Sequence, residues 1–384
     1  MGIETIYSEE RLVKTLDECM GALQHAAFRT EGSLGRRHAL DRDKIFFAYM
    51  NPFQLDTWKI KNSKAYRRLK HKTQVLAMAN NAHIRTRRDH TDETVENAKL
   101  MSHVLGLNTD LVESIATGHD MGHTPFGHIG EVVLTALGGK RLKHETHGVF
   151  VAQYIERKGK GLNLTYETLL GIAQHSRNGG PLRQDEPTIN EIALVMYADK
   201  LTYLFSDYND AKRHGLLPQN FRYRAIEELG SNQTERCNTV MAAIMEESAR
   251  KGRVMFSEGE VYERFEDARQ FMWKNVYEMI DWSLHERQLR ETYRIIEKLY
   301  GDEPWVDPIA LLSLMTDRDV AELMRRRANL EEVTEQTLRQ TSVGELLPSM
   351  YNREYNYWDL DLDWAHKKGD EGREGGLQRC LNTT

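Results

Sequence analysis

Proline and cysteine are scarce in this chain, at 8 and 3 of 384 residues. Few prolines leave long stretches of backbone free to close helical hydrogen bonds, which suits a helical protein better than a sandwich of short strands. The cysteines, Cys19, Cys237 and Cys380, are odd in number and show no CxxC spacing, so neither a disulfide framework nor a zinc knuckle is expected. No run approaches the roughly eighteen apolar residues of a membrane span. The opening MGIETIYSEERLVKTLDE lacks a basic stretch leading into an apolar one, and Ile6 stands where a myristoylation sequence carries Ser or Thr. A cytoplasmic protein is the expectation. A net charge of −6 argues against a protein that coats nucleic acid. Lys61, Lys64, Arg67, Arg68, Lys70 and Lys72 nevertheless form a local basic segment able to serve an anionic ligand. Its plainer reading is the polar side of a helix whose Tyr66, Leu69 and Val75 face inward.

Helical periodicity dominates what is present. Val95, Ala98, Met101 and Leu105 predict a helix from about Thr91 to Leu105, stopped by Gly106. A second starts near Asp110, where Leu111, Ile115 and His119 share a face. After a turn over Gly122 to Gly130, helix is expected to resume near Glu131, then from His144 to Arg157 and from Thr168 to His175, with Asn178-Gly179-Gly180-Pro181 as a breaker. From Asn190 to about Lys212, the stripe Ile192, Val195, Met196, Asp199, Tyr203 and Asp207 sets acids into an apolar face. Further helices are expected at Thr239–Ala249, Tyr262–Glu286 and Val320–Ala328. No solenoid repeat or domain linker is evident. The tail from Lys367 to Thr384 is rich in glycine and charge and is expected to fray or to serve a partner.

His119-Asp120, with His90 before it and Asp199 after it, supplies imidazole and carboxylate donors on predicted helices. A lone His or Asp is more often a cap or a paired surface residue than a ligand. Asp199 weighs against that reading here, because a carboxylate among apolar neighbours requires a cation or a hydrogen-bond partner. Mixed nitrogen and oxygen donors suit a divalent transition metal better than Ca, with Mn, Mg, Fe, Ni, Co and Zn left open.

These residues stand in a longer series. It runs through Ala65-Tyr66-Arg67-Arg68-Leu69-Lys70-His71-Lys72-Thr73-Gln74-Val75, Arg85-Thr86-Arg87-Arg88-Asp89-His90, and His119-Asp120-Met121-Gly122-His123-Thr124-Pro125-Phe126-Gly127-His128 as far as Glu131. It continues with Gly161-Leu162-Asn163-Leu164-Thr165, Gly171-Ile172 with His175, Ala198-Asp199-Lys200-Leu201-Thr202-Tyr203 with Asp207, and Met315-Thr316-Asp317-Arg318. In this order the sequence resembles the HD-domain superfamily and, within it, the deoxyguanosine triphosphate triphosphohydrolase family.

The resemblance implies an all-α HD-domain metallohydrolase fold with additional C-terminal helices. It implies one elaborated domain over 1–384, with its core at roughly 60–215, a helical portion at roughly 216–340 and a flexible tail at 367–384. By similarity His90, His119, Asp120 and Asp199 are metal ligands, and His128 with Glu131 is the catalytic pair. Arg87, His123, His144 and Lys200 contact the triphosphate, Gln74, Val75 and Tyr203 lie by the sugar, and Asp207 is a polar substrate contact. Taken alone, Glu131 reads as an exposed first-turn acid, and Val75 and Tyr203 read as core. The sequence departs from the family at Glu145-Thr146-His147, where many relatives carry Asn-Glu-Gln, and at Ser206-Asp207, where His-Asp is common.

The implied activity is metal-dependent hydrolysis of dGTP or several dNTPs to deoxynucleoside and tripolyphosphate. The implied partners are a dNTP effector and further copies of the chain in a homo-oligomer such as a hexamer. An HD phosphodiesterase or phosphatase is the alternative enzyme, and a nucleotide-sensing, single-stranded nucleic-acid-binding protein is the alternative of another class. The direction of proton transfer by His128 and the preferred base are not legible.

Overall fold

A computed structural model describes residues 5–38, 49–76, 81–176, 188–303, 305–350 and 356–365. The expected breaker at 178–181 and the tail at 367–384 lie outside the described residues. Among those described the chain is all-α, with only two isolated bridges, Arg36 with Thr165 and Thr73 with Thr86. No described helix is long and apolar enough to cross a membrane.

The helices that matter for the site are, in order, α1 (Glu9–Cys19), α2 (Pro52–Lys61), α3 (Lys64–Arg68), α4 (Arg87–Leu105), α5 (Thr109–Gly118), α6 (His128–Gly138), α7 (His144–Phe150), α8 (Tyr166–Gln174) and α9 (Asn190–His214). The C-terminal portion adds α10 (Arg224–Leu229), α11 (Gln233–Lys251), α12 (Glu260–Asn275), α13 (Ser283–Tyr300), α14 (Pro308–Ser313), α15 (Asp317–Ala328) and α16 (Glu335–Arg339).

Two apolar clusters form. The first joins α4, α5 and α9 to α11 and α12 through residues such as Val95, Ala98, Ile115, Leu201, Val240 and Phe265. The second joins α6, α7 and α8 to α13, α14 and α15 through Val133, Val149, Leu169, Ile296, Leu311 and Leu323. Leu170 on α8 packs against both. Helix α9 is buried on nearly every side, which explains how acids come to sit in its apolar stripe.

Several boundaries differ from the sequence expectation. Helix α4 starts at Arg87 because Thr86 and Asp89 form a capping box. Helix α6 starts at His128, since the turn before it closes at Gly127 with φ +62. The stretch from His144 stays α-helical only to Phe150 and then makes a π-helical turn over Val151–Ile155. The single helix expected over Tyr262–Glu286 is two, α12 and α13, because the chain crosses there from the first cluster to the second.

Candidate active site

Arg87 occupies the first position of α4, where the helix dipole disfavours a cation. A buried ion pair offsets this: one guanidinium nitrogen lies 2.9 Å from Asp120 Oδ2, with both side chains almost fully covered. A second nitrogen donates to the Gln74 carbonyl at 3.2 Å. One turn along α4, His90 points Nε2 at Asp199 Oδ1, 2.9 Å away on α9.

His119 follows the last residue of α5. Its Nδ1 donates to the Ala116 carbonyl at 2.7 Å, which leaves Nε2 with a lone pair. That Nε2 is buried without a hydrogen-bond partner, 3.5 Å from Asp120 Oδ1 and 3.8 Å from Asp199 Oδ1. An orphaned imidazole nitrogen facing two carboxylates is what a divalent cation requires, and a backbone carbonyl fixing the other ring nitrogen is the usual support for a ligating histidine. His90, His119 and Asp120 each offer a donor atom within 4.8 Å of the others. Burial opposes the charge on Asp120, but His119, Arg87 and His123 outweigh it and hold the carboxyl well below its ordinary range. Asp199 is likewise held low, burial being outweighed by the hydrogen bond and charge of His90. Both acids are therefore held ionised, the form that a metal ligand needs.

A second group adjoins the first through Asp120. His123 Nε2 lies 3.1 Å from Asp120 Oδ1, and its Nδ1 is 3.5 Å from Glu131 Oε1. The same carboxylate oxygen meets His144 Nδ1 at 2.9 Å and His128 Nδ1 at 3.3 Å. His123 and His144 stack with ring centres 3.9 Å apart. Glu131 is thus a buried hub and not an exposed first-turn acid, whereas the His128 side chain is 72% exposed. Burial disfavours a charged His144, but Glu145 and Glu131 outweigh it and raise the ring to about 9. Glu145, at the first departure from the family pattern, is buried with Oε2 3.5 Å from His144 Nδ1.

His175 joins this group although sequence reasoning assigned it no role. Its Nε2 lies 3.3 Å from His144 Nε2, and its ring is pushed down to about 4 by burial and by His119 and His144. With Asp120 and His144 it forms another set of potential metal donors, as do His123, His128, Glu131 and His144. Its place in the Gly171-Ile172 stretch was the available signal.

The remaining predicted residues scatter more widely. Lys200 is buried next to Asp199, Tyr203 is partly covered one turn further on, and Val75 is half-buried and not core. The Gln74 amide oxygen is buried without a partner. Asp207 is tied elsewhere: Tyr277 Oη donates to its Oδ2 at 2.9 Å, and burial pushes the acid up to about 7. Tyr277 escaped sequence reasoning because it falls where a continuous helix was expected. In the basic segment Arg68 and Lys72 are buried, while Lys61 pairs with Glu113 at 2.9 Å and Lys64 with Glu345 at 2.5 Å. Arg67 and Lys70 are exposed, so part of that segment's charge faces outward.

A helical frame that brings together His90 on α4, His119-Asp120 just past the end of α5 and Asp199 on α9 defines an HD-type hydrolase, and the HD domain model matches residues 87–204. The chain is 38% identical over 249 residues to a deoxyguanosinetriphosphate triphosphohydrolase-like protein of Caldanaerobacter subterraneus subsp. tengcongensis, covering 65% of this chain and 70% of that relative. Proteins of the same description from Clostridium tetani and Clostridium perfringens are 36% and 37% identical over 254 and 261 residues, covering 65% and 66% of this chain and 72% and 74% of theirs. The chain belongs to this deoxyguanosinetriphosphate triphosphohydrolase-like family and is a nucleotide hydrolase.

Proposed function

We propose that the chain hydrolyses deoxynucleoside triphosphates at the α-phosphorus to deoxynucleoside and tripolyphosphate, with a divalent ion held by His90, His119, Asp120 and Asp199. Asp120 carries the reading. Its Oδ1 faces His119 at 3.5 Å and His123 at 3.1 Å while Arg87 holds Oδ2 at 2.9 Å, so the metal donors and the cationic cluster share one carboxylate. Held by these residues, a divalent ion would lower the pKa of water from ~15.7 toward ~7 and would withdraw charge from a phosphoryl oxygen.

The chain's own residues do the rest. Arg87, Lys200 and the His144 ring, kept cationic by Glu145 and Glu131, offset phosphate charge as it redistributes. His123 links the two groups, bonded to Asp120 and stacked on His144. His128 is the exposed ring, and Glu131 at 3.3 Å from its Nδ1 orients it. Its Nε2 passes a proton to the 5′ oxygen as the phosphorus–oxygen bond breaks. Gln74, Val75 and Tyr203 lie by the sugar, and Asp207, held by Tyr277, is a polar substrate contact. The relatives' description supports dGTP as the first substrate to test.

Mn-loaded protein incubated with each dNTP singly and in mixture, with products resolved by ion exchange, tests the reading. Deoxynucleoside plus tripolyphosphate, abolished by EDTA, is expected. Deoxynucleoside monophosphate plus pyrophosphate contradicts it, and turnover only in mixtures identifies a nucleotide activator.

A further inference from the structure

We propose that Asp317 is a positioning residue for the hydrolytic centre, an inference that rests on the nucleotide-hydrolase reading above. Asp317 stands at the first position of α15, beyond the matched residues 87–204, in a motif to which the reaction assigns no part. Its carboxylate is buried and divided between two backbone segments. Oδ2 accepts the Thr73 amide at 2.7 Å and the Thr73 hydroxyl, and Oδ1 accepts the Phe126 amide at 2.7 Å.

Both segments lead directly into the site. Thr73 precedes Gln74, whose carbonyl anchors Arg87. Phe126 has φ +58, a conformation that a residue with a side chain keeps only when its surroundings hold it. Two residues later the chain enters α6 with His128 and Glu131. One carboxylate therefore sets the distance between the segment that anchors Arg87 and the turn that presents the catalytic pair.

The same turn is tethered at two other carbonyls. The Lys72 ammonium donates to the His123 carbonyl, and His147 Nδ1 donates to that of Gly122 at 2.6 Å. His147 leans in turn on the Ser313 hydroxyl, 3.0 Å from its Nε2. Two of the three tethers lead to residues 313–317, so the C-terminal helices act as part of the catalytic frame. A carboxamide cannot replace Asp317, because whichever way it turns its NH₂ faces one of the two backbone amides donor to donor.

The test uses full-length, Mn-loaded Asp317→Asn. Bound Mn is expected to match wild type, since none of the four proposed ligands is altered. Amide exchange in peptides covering 70–76 and 122–130 is expected to rise about tenfold or more, with α4 and α9 unchanged. With dNTP, kcat is expected to fall about tenfold to a hundredfold while KM moves less than about threefold. Asp317→Asn added to His128→Ala is expected to slow that variant no further. Unchanged exchange in both segments, or losses that multiply in the double variant, would overturn the proposal. If wild type hydrolyses no dNTP the hydrolysis reading fails, and exchange alone still decides the role of Asp317. Should Asp317→Asn not fold, Thr73→Val removes only the hydroxyl bond; faster exchange at 70–76 is expected, and its absence overturns the proposal.

Discussion

His90 and Asp199 meet at 2.9 Å although 109 residues separate them, one near the start of α4 and the other midway along α9. Helices α4 and α9 pack against each other, so the apolar core positions these two polar groups. Their place beside His119 Nε2, which has no hydrogen-bond partner, ties the proposed metal binding to that packing.

Asp199→Ala and His119→Ala are accordingly expected to lose stoichiometric Mn, and to lower kcat by more than the ~10–100-fold typical of disturbing an outer partner of a metal ligand. Metal analysis after desalting, alongside the dNTP assay, checks both. Full Mn content in both variants would remove these residues from the donor set.

Glu145→Gln tests the cationic state of His144. The ring is charged below about 9, and the charge of Glu145, with the charge and hydrogen bond of Glu131, keeps it so against burial. Removing that carboxylate lowers the pKa, so the alkaline limb of kcat/KM is expected to move to lower pH. Stability follows the same sign: with its folded value raised above an unfolded value near 6.5, His144 contributes fully below about 6.5 and loses that contribution as pH rises through about 9. The variant is therefore expected to show less pH dependence of Tm across that window.

Asp207 has the opposite consequence for stability. Burial raises its folded value from an ordinary 3.8 to about 7, so the fold loses stability as pH rises from about 4 to about 7 while the unfolded chain ionises freely. Asp207→Asn removes that penalty. A higher Tm than wild type is expected at pH 8, by up to a few kcal/mol in stability, with a smaller difference at pH 5. Equal differences at both values would show that Asp207 is ionised in the fold.

Gly122→Ala probes the close approach of the turn to α7. An added Cβ would lie 2.1 Å from the His144 carbonyl oxygen and 2.2 Å from the Gly148 nitrogen, both backbone atoms that cannot swing away. A loss of about 1–3 kcal/mol or more in denaturant unfolding is expected, together with reduced activity, because His123 follows directly. Unchanged stability would mean that the turn and α7 can separate cheaply.

These relationships differ in how far they could be read from sequence. Helical periodicity was plain along α4, α5 and α9, and it set Asp199 and His119 on apolar stripes; the helix expected from about Thr91 left His90 just outside, whereas the structure starts α4 at Arg87 and ends α5 one residue before His119. Glu131 illustrates what periodicity misses: a first-turn acid looks solvated until two imidazoles from other segments, His123 and His144, close over it. Tyr277 and Asp317 are harder still, since their partners are 70 and 244 residues away and involve a phenol and backbone amides that leave no spacing signal. The break between α12 and α13 was hidden for a similar reason: helix-forming residues continue across it, and tertiary packing on two separate clusters imposes the crossing.

The central claim is attack by water at the α-phosphorus with departure of the 5′ oxygen. It is tested most directly by hydrolysing a dNTP with Mn-loaded protein in ¹⁸O-labelled water and analysing both products by mass spectrometry. The account predicts one ¹⁸O in tripolyphosphate and none in the deoxynucleoside. Label in the deoxynucleoside would contradict it by placing the broken bond at carbon, and labelled deoxynucleoside monophosphate or pyrophosphate would contradict it by placing the break between phosphates.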